Sequence, residues 1–489
     1  MTLTKTASLA IEAPNNYNQR SHSHSHRRIL FLSLEFNFAP FSGNGVLCRS
    51  LVSALLSSND SAADGQQEQP QQVEIRVICA KPHPSTPNIS SDITFIHKNL
   101  VIWPVEFSWG GDDGNNNNDD DEQFYRQVEQ LSCRLADGII CLSEHDKCAL
   151  EKLMQDDDCC DKVAAMNSKR CQEQKRREIT ILPPPLRGDV CHLARMMKNP
   201  QPPEEEEEMP SFVFDRYLPE KVKQAIHHIQ TYHHNHRPTI IPQQRLFITC
   251  ISRLSPEKTP HIFINLLQQL GGVTFLRQHC LVPILCGAKS VDSYASKVIQ
   301  SFHNLCSSEN NNNDDDEDWP YIIIDHHLGP QELAALFSYT VINIHPCLYD
   351  AYGMSLVESA AFGIPSVVNC GGKVGAAKLL CEGVGCVALD LSGLDYDDEV
   401  EEDVSVEKKD EDGGDGMKCS VRMLKEMLAH RMIEHVDADS PQRRRCSGIL
   451  AKVAVEARDR ALGWDELSCC RGLVDKLNSL RRVESRNEM

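Results

Sequence analysis

Two short stretches hold the residues whose types and spacing could do chemistry. The first is CISRLSPEK, with Arg253, Ser255, Pro256 and Lys258; the second is HPCLYDAYGMSLVESAAFGIPSVVN, with Asp350 and Glu358 eight apart around Gly353. Serine at a cap and proline at the first helical position are ordinary helix-start chemistry. A lysine in the first turn, however, opposes the helix dipole, and Glu257 offsets this only in part. Arg253 leaves an apolar run of strand length at its carboxyl end, where open α/β sheets bind ligands. Two cations would then converge on free backbone amides, an anion site whose natural occupant is a phosphate. The residues alone leave this reading and the plain helix start both open.

The second stretch follows VINIHP, another strand-like run, so Tyr349 to Gly353 also falls at a carboxyl edge. Gly353 permits a tight turn and close approach of a ligand. Glu358 lies about a turn and a half into the helix that follows. The small, apolar SAAFG after it suits packing against a sheet, so Glu358 need not face solvent. A carboxylate in a cleft needs a partner, and vicinal sugar hydroxyls would suit it. The alternative is a turn-forming Asp350 and a solvated Glu358.

The elements that must position these residues alternate. RRILFLSLEF, the turn-rich NFAPFSGNG and VLCRSLVSALL predict strand, glycine loop and helix. VEIRVICA and EITILPPPL read as strands, and ADGIICLSEHDKCALEKL as a strand and a helix with Ser143 as its cap. The pattern restarts with RLFITCISRLSPEKTPHIFINLLQQL. LVPILCGA, YIIIDHHLG, VINIHP, PSVVN and GVGCVALDL are strands, with helices between them. Alternating β and α with short connections predicts doubly wound parallel sheets. Only helical segments follow residue 416.

The 489 residues make two domains the default. The formal net charge is −20, but four low-complexity windows (112–122, 204–208, 309–318 and 395–415) carry −27 between them, leaving +7 on the rest. Such windows cannot bury enough apolar surface to fold. No basic stripe with interleaved aromatics is present, so no nucleic-acid partner is expected. The 21 cysteines form no CxxC pair, and residues 1–28 hold no long apolar run. Reduced thiols in a cytoplasmic protein are expected, with organelle targeting by residues 1–28 left open. No transmembrane segment is expected. His22, His24 and His26 in the tail can bind metal but have no fixed geometry.

SRLSPEK, LYDAYGMSLVESAAFGIPSVV and the glycine pair of NCGGKVGA together resemble the retaining GT-B glycosyltransferases of group 1, the E-x7-E type. RILFLSLEF with the GNG loop, ADGIICLSEHDKCALEKL and LGWDELSCCRGLVDKL look like that family's first strand, late N-domain strand and helix, and closing helix. Coverage is good over 245–391 and patchy elsewhere. The resemblance implies two Rossmann-like domains facing a cleft: residues 27–215 on the acceptor side with an insert at 110–122, and 216–440 on the donor side with inserts at 307–318 and 395–416. A tail at 1–26 and helices at 441–489 complete it.

The resemblance also implies roles. Arg253 and Lys258 bind the diphosphate of a nucleotide-sugar, and Glu358 holds the ribose hydroxyls. The amides of Ala351, Tyr352, Gly353, Met354 and Ser355, with the carboxylate of Asp350, face the donor sugar and phosphate. Gly43 and Gly45 close over the donor. Catalysis falls to Asp350, Arg253 and Lys258, with no metal and no cofactor beyond the nucleotide-sugar co-substrate; the Asp runs at 119–121 and 314–316 are not DxD motifs. The acceptor (sugar, lipid or small molecule) is not legible. Departures are Asp350 in place of the first glutamate, Tyr352 in place of phenylalanine, a GNG loop without the lysine of glycogen and starch synthases, and no Asp-x-x-His strand. His97 is the nearest counterpart of the family's N-domain histidine. The second reading is a degenerate GT-B protein that binds sugar nucleotide or a protein partner without turnover. A Rossmann oxidoreductase is disfavoured because no GxGxxG follows a strand.

Overall fold

The computed structural model describes residues 27–32, 52, 73–80, 100–105, 139–141, 143–155, 179–198, 215–236, 245–289, 292–307, 319–350, 352–370, 372–381, 385–395, 414–430, 441–465, 468–469 and 471–473. The chain forms two compact units, Met1–Trp109 and Gly110–Met489. The first holds β1 (Arg27–Leu32), β2 (Val73–Ala80) and β3 (Leu100–Val105), paired parallel in that order. β1 and β2 fall where the apolar runs predict them. β3 lies in a stretch for which no strand is predicted. The GNG loop with Gly43 and Gly45, His97, and all but Val52 of the helix expected from VLCRSLVSALL lie outside the described residues.

In the second unit β4 (Ile139–Cys141) and β5 (Ile179–Ile181) pair parallel as a small sheet. Helix α1 (Glu144–Gln155) follows β4, capped as expected: the Asp146 amide donates to Ser143 Oγ at 3.2 Å. After β5 the prolines of PPPLRG carry the chain to α2 (Gly188–Lys198). Helix α3 (Glu220–His236), for which no helix is predicted, leads into the main sheet.

That sheet has six parallel strands, taken in chain order: β6 (Phe247–Ile251), β7 (Val282–Cys286), β8 (Ile322–Ile324), β9 (Thr340–His345), β11 (Ser366–Asn369) and β13 (Val387–Leu389). Two short strands, β10 (Tyr349–Asp350) and β12 (Lys373–Val374), pair with each other beside it. The spatial order is β13-β11-β9-β6-β7-β8. The chain thus runs outward through β7 and β8, returns to lay β9 on the other side of β6, and continues to β11 and β13. Every residue of β7, β9 and β11 is buried. Burial on both faces is why these strands are mostly apolar and do not alternate apolar with polar. Helix α4 (Pro260–Leu270) packs Ile262, Phe263, Leu266, Leu267 and Leu270 onto the sheet side of the core. Fully burying each such side chain stabilises the fold by about 1.5–3 kcal/mol.

The direction of winding reverses between β6 and β9, and the loops leaving their carboxyl ends flank one crevice. Those loops are the two stretches singled out by residue type. The long C-terminal helix packs on helix Met354–Ala361, which follows the second of these loops. The long helix Pro441–Gly463 ends at Trp464, whose Nε1 donates to the Pro183 carbonyl at 3.1 Å and whose carbonyl accepts the Leu186 amide at 3.0 Å. Arg195 pairs with Asp465 at 2.8 Å. The closing helices therefore hold the PPPLRG segment in place. No helix among the described residues is long and apolar enough to cross a membrane.

Candidate functional site

After β6 the chain does not enter its helix directly. Pro256–Lys258 form one turn of 3-10 helix, and Thr259 then takes a left-handed conformation (φ 45°) before α4 begins at Pro260. The right-handed helical region is disfavoured for a residue before proline, so the turn begun at Pro256 cannot run on. Two expectations are corrected here. Lys258 sits at the end of a 3-10 turn rather than in the first turn of an α-helix, and Ser255 Oγ, fully buried, makes no cap hydrogen bond.

The two cations do not share one anion pocket as they stand. Arg253 is half-exposed and pairs with Glu257 at 3.2 Å. Lys258 turns inward, its Nζ lying 2.8 Å from Asp350 Oδ2, with both side chains largely buried. The loops after β6 and β9 are stitched together at two further points. Thr259 Oγ1 donates to the Pro346 carbonyl at 3.4 Å, and Cys347 Sγ donates to the Lys258 carbonyl at 3.3 Å. The switch in winding direction therefore brings Lys258 and Asp350 together, a pairing that neither stretch reveals on its own.

Asp350 is set by short strand pairing, β10 against β12, and by its own Oδ1, which accepts the Tyr352 amide at 3.3 Å. His345 Nε2 lies 3.5 Å from Oδ2. Burial alone would push this carboxyl up; His345 and Lys258 outweigh it and hold Asp350 well below the usual carboxylate range. Ala351 lies outside the described residues. Tyr352 is buried, with its hydroxyl unpartnered among them, and burial pushes its phenol up.

Gly353 (φ +88°) caps helix Met354–Ala361, the element that carries Met354, Ser355 and Glu358. A Cβ at Gly353 would stand 3.0 Å from Val374 Cγ1 and 3.5 Å from His345 Nε2. Gly353→Ala is therefore expected to lose about 1–3 kcal/mol of stability from the strained backbone and to push Tyr352 and Met354 out of line with Asp350. Thermal unfolding beside a ligand-binding assay on the full chain checks this. An alanine variant with wild-type behaviour in both would contradict it. Gly287, at the end of β7, meets a harder limit: a Cβ there would stand 1.7 Å from the Ser252 carbonyl oxygen. Only glycine lets β7 pass this close behind the loop that carries Arg253.

Glu358 is 7% exposed. Its partner is Arg187, whose Nη1 donates to Oε1 at 3.4 Å, while Asp189 anchors the same guanidinium through Nε at 3.2 Å and Nη2 at 2.9 Å. Burial pushes the Glu358 carboxyl up to about 7; Arg187 opposes that rise and Asp189 adds to it. Sequence reasoning missed Arg187, which meets Glu358 across 171 residues of chain. Its one local sign is an arginine shortly after three prolines and next to the start of a helix.

Lys258, Asp350, Tyr352, Gly353, Met354, Ser355 and Glu358 thus lie on two adjoining loops and one helix at the carboxyl edge of the sheet. Arg253 shares the first loop but faces outward. The arrangement offers a cation held in place by a carboxylate, a helix start whose first amides have no partner within the helix, and a buried acid about a turn and a half along.

No protein-family model matches the chain, and no curated protein matches it. Solved structures do. The α,α-trehalose 6-phosphate synthase of Burkholderia multivorans superposes with a TM-score of 0.53 at 10% identity, over 95% of this chain and 99% of that one. The sucrose-phosphate synthase of Thermosynechococcus elongatus gives 0.49 at 10% identity, over 94% and 100%. Anabaena Alr3699/HepE, solved with UDP and glucose, gives 0.48 at 14% identity, over 93% and 100%. At such identities the likeness is one of fold, and the first of the three carries it: the chain has an α/β fold of the GT-B type, the architecture implied by the resemblance of its motifs.

Proposed function

We propose that the protein is a glycosyltransferase that moves a sugar from a nucleotide-diphosphate sugar to an acceptor hydroxyl with retention of anomeric configuration. The observation that carries this reading is the Lys258–Asp350 pair, 2.8 Å apart at the point where the winding of the sheet reverses. An ammonium has three donors and Asp350 takes one. The others are available to a diphosphate seated against the start of helix Met354–Ala361. Breaking the anomeric C–O bond leaves the bonding pair on the diphosphate. Lys258 and the helix amides stabilise that charge without reorganising. The acceptor oxygen bonds to the anomeric carbon on the face the diphosphate leaves, and its proton passes to the departing phosphate oxygen. Asp350 holds Lys258 and faces the sugar, Glu358 takes the ribose hydroxyls, and Arg253 reaches the diphosphate from the loop rim.

In this reading residues 27–215 supply the acceptor side and 216–440 the donor side. No metal is required for transfer in this reading, because the fixed Lys258 ammonium and the helix amides take its place. The test is release of nucleoside diphosphate from UDP-, GDP- and ADP-sugars by the purified full chain, with the anomeric configuration of the product read by NMR and a chelator added in parallel. Retained configuration and a rate unchanged by chelator are expected. Inversion, or abolition of the rate by chelator, would overturn those parts of the reading. Binding of a sugar nucleotide with no turnover under any condition would favour the degenerate alternative.

A further inference from the structure

His345, Cys347 and Asp350 present one ligand atom each within 4.8 Å of one another. Each of the three is placed by a separate constraint. His345 ends β9, and Cys347 lies two residues on, on the same side of extended chain. Asp350 returns to them through β10. His345 is 2% exposed and Cys347 is fully buried. The histidine ring is oriented by Ser355, whose Oγ lies 3.3 Å from Nδ1. That contact leaves Nε2 facing Asp350 and Cys347; it is buried, meets Asp350 Oδ2 at 3.5 Å as an ion pair, and makes no hydrogen bond of good geometry. A side chain at Gly353 would crowd the same nitrogen. An oriented imidazole, a thiol and a carboxylate converging on one buried point match the ligand preferences of zinc and of cobalt(II).

We propose that His345 Nε2, Cys347 Sγ and Asp350 Oδ2 form a site for a borderline divalent transition-metal ion, zinc or cobalt, whose occupation takes Asp350 away from Lys258. On binding, the Cys347 thiol and the Nε2–H of the His345 imidazolium each give a proton to solvent, and the thiolate and the freed Nε2 join the metal. Oδ2 is the oxygen on which Lys258 Nζ sits at 2.8 Å, so ion and ammonium compete for it. Occupation displaces the ammonium from its fixed place and weakens donor binding. This last consequence rests on the glycosyltransferase reading; the metal site itself does not.

The experiment is cobalt(II) titration of the full chain under reducing conditions, followed by absorption spectroscopy. A thiolate-to-cobalt charge-transfer band is expected in the wild type, displaced by zinc. Other thiols and the tail histidines can also take cobalt, so the reading is the difference between wild type and Cys347→Ser. Asp350→Asn, at a partly exposed position, provides a second variant, expected to weaken binding by at least about tenfold; circular dichroism checks both folds. Lys258→Met is expected to bind the ion more tightly, because the competitor is gone. A merely structural role for these residues would not produce that gain. Identical spectra for wild type and Cys347→Ser, or no gain in Lys258→Met, would overturn the proposal. The spectra need no donor, so the metal site and the transferase reading fail separately.

Discussion

Replacing Lys258 with methionine is expected to lower kcat/KM for the sugar donor by about a hundredfold to a thousandfold, the cost of removing one preorganised donor of charge stabilisation. Methionine keeps most of the stem and removes the ammonium, so the loss reports charge rather than packing. The fall is expected in kcat as well as in KM, because the charge on the diphosphate is larger in the transition state than in the bound donor. Arg253→Ala is expected to cost less, since that guanidinium is half-exposed and shares its charge with Glu257. A Lys258→Met enzyme within about twofold of wild type would remove Lys258 from the chemistry.

The second large effect is a pH dependence centred on Glu358. Its carboxyl lies near 7 in the folded chain, against about 4.3 for an unperturbed glutamate. Between those values the folded state holds the proton and the unfolded state does not. Stability contributed by the protonated acid is thus fully present below about 4.3, falls as pH rises and levels off above about 7, a loss on the order of 3 kcal/mol. In the proposed reading Glu358 takes the ribose hydroxyls, which the ionised form binds better because it accepts two hydrogen bonds. Donor KM is therefore expected to fall as pH rises through about 7 in the wild type and to stay flat in Glu358→Gln. The charged groups facing Glu358 are Arg187 and Asp189, with His327 beyond Arg187. Arg187→Met is expected to move the KM transition to higher pH by removing the cation that favours the ionised form. KM profiles measured from pH 5.5 to 9 (roughly the span needed around that midpoint) on all three proteins decide this. Parallel profiles in wild type and Glu358→Gln would contradict it.

Much of the six-stranded sheet was legible because its strands are buried on both faces. LFITCI, LVPILC, VINIH and PSVVN are mostly apolar runs whose few polar residues are buried with the rest, and each is a strand of the six-stranded sheet. The turn at Gly353 and the burial of Glu358 were also legible, the first from glycine, the second from the small residues that follow. What local pattern could not show is pairing across the chain. Lys258 meets Asp350, and Arg187 meets Glu358, only because the sheet reverses its winding and the closing helices pin PPPLRG. The 3-10 turn after β6 was misread because Ser255 and Pro256 signal a helix start more strongly than Pro260 signals its postponement. β3 was missed in a stretch whose charged and proline residues blur the strand pattern.

One measurement bears most directly on the central claim that the crevice between β6 and β9 holds a nucleotide-sugar. Thermal unfolding of the full chain is followed with UDP-, GDP- and ADP-sugars, in the wild type, Lys258→Met and Glu358→Gln. Selective binding to the native state raises Tm by mass action. At least one donor is expected to stabilise the wild type, and both variants are expected to lose most of that gain. No shift with any nucleotide-sugar, or an equal shift in all three proteins, would contradict the account.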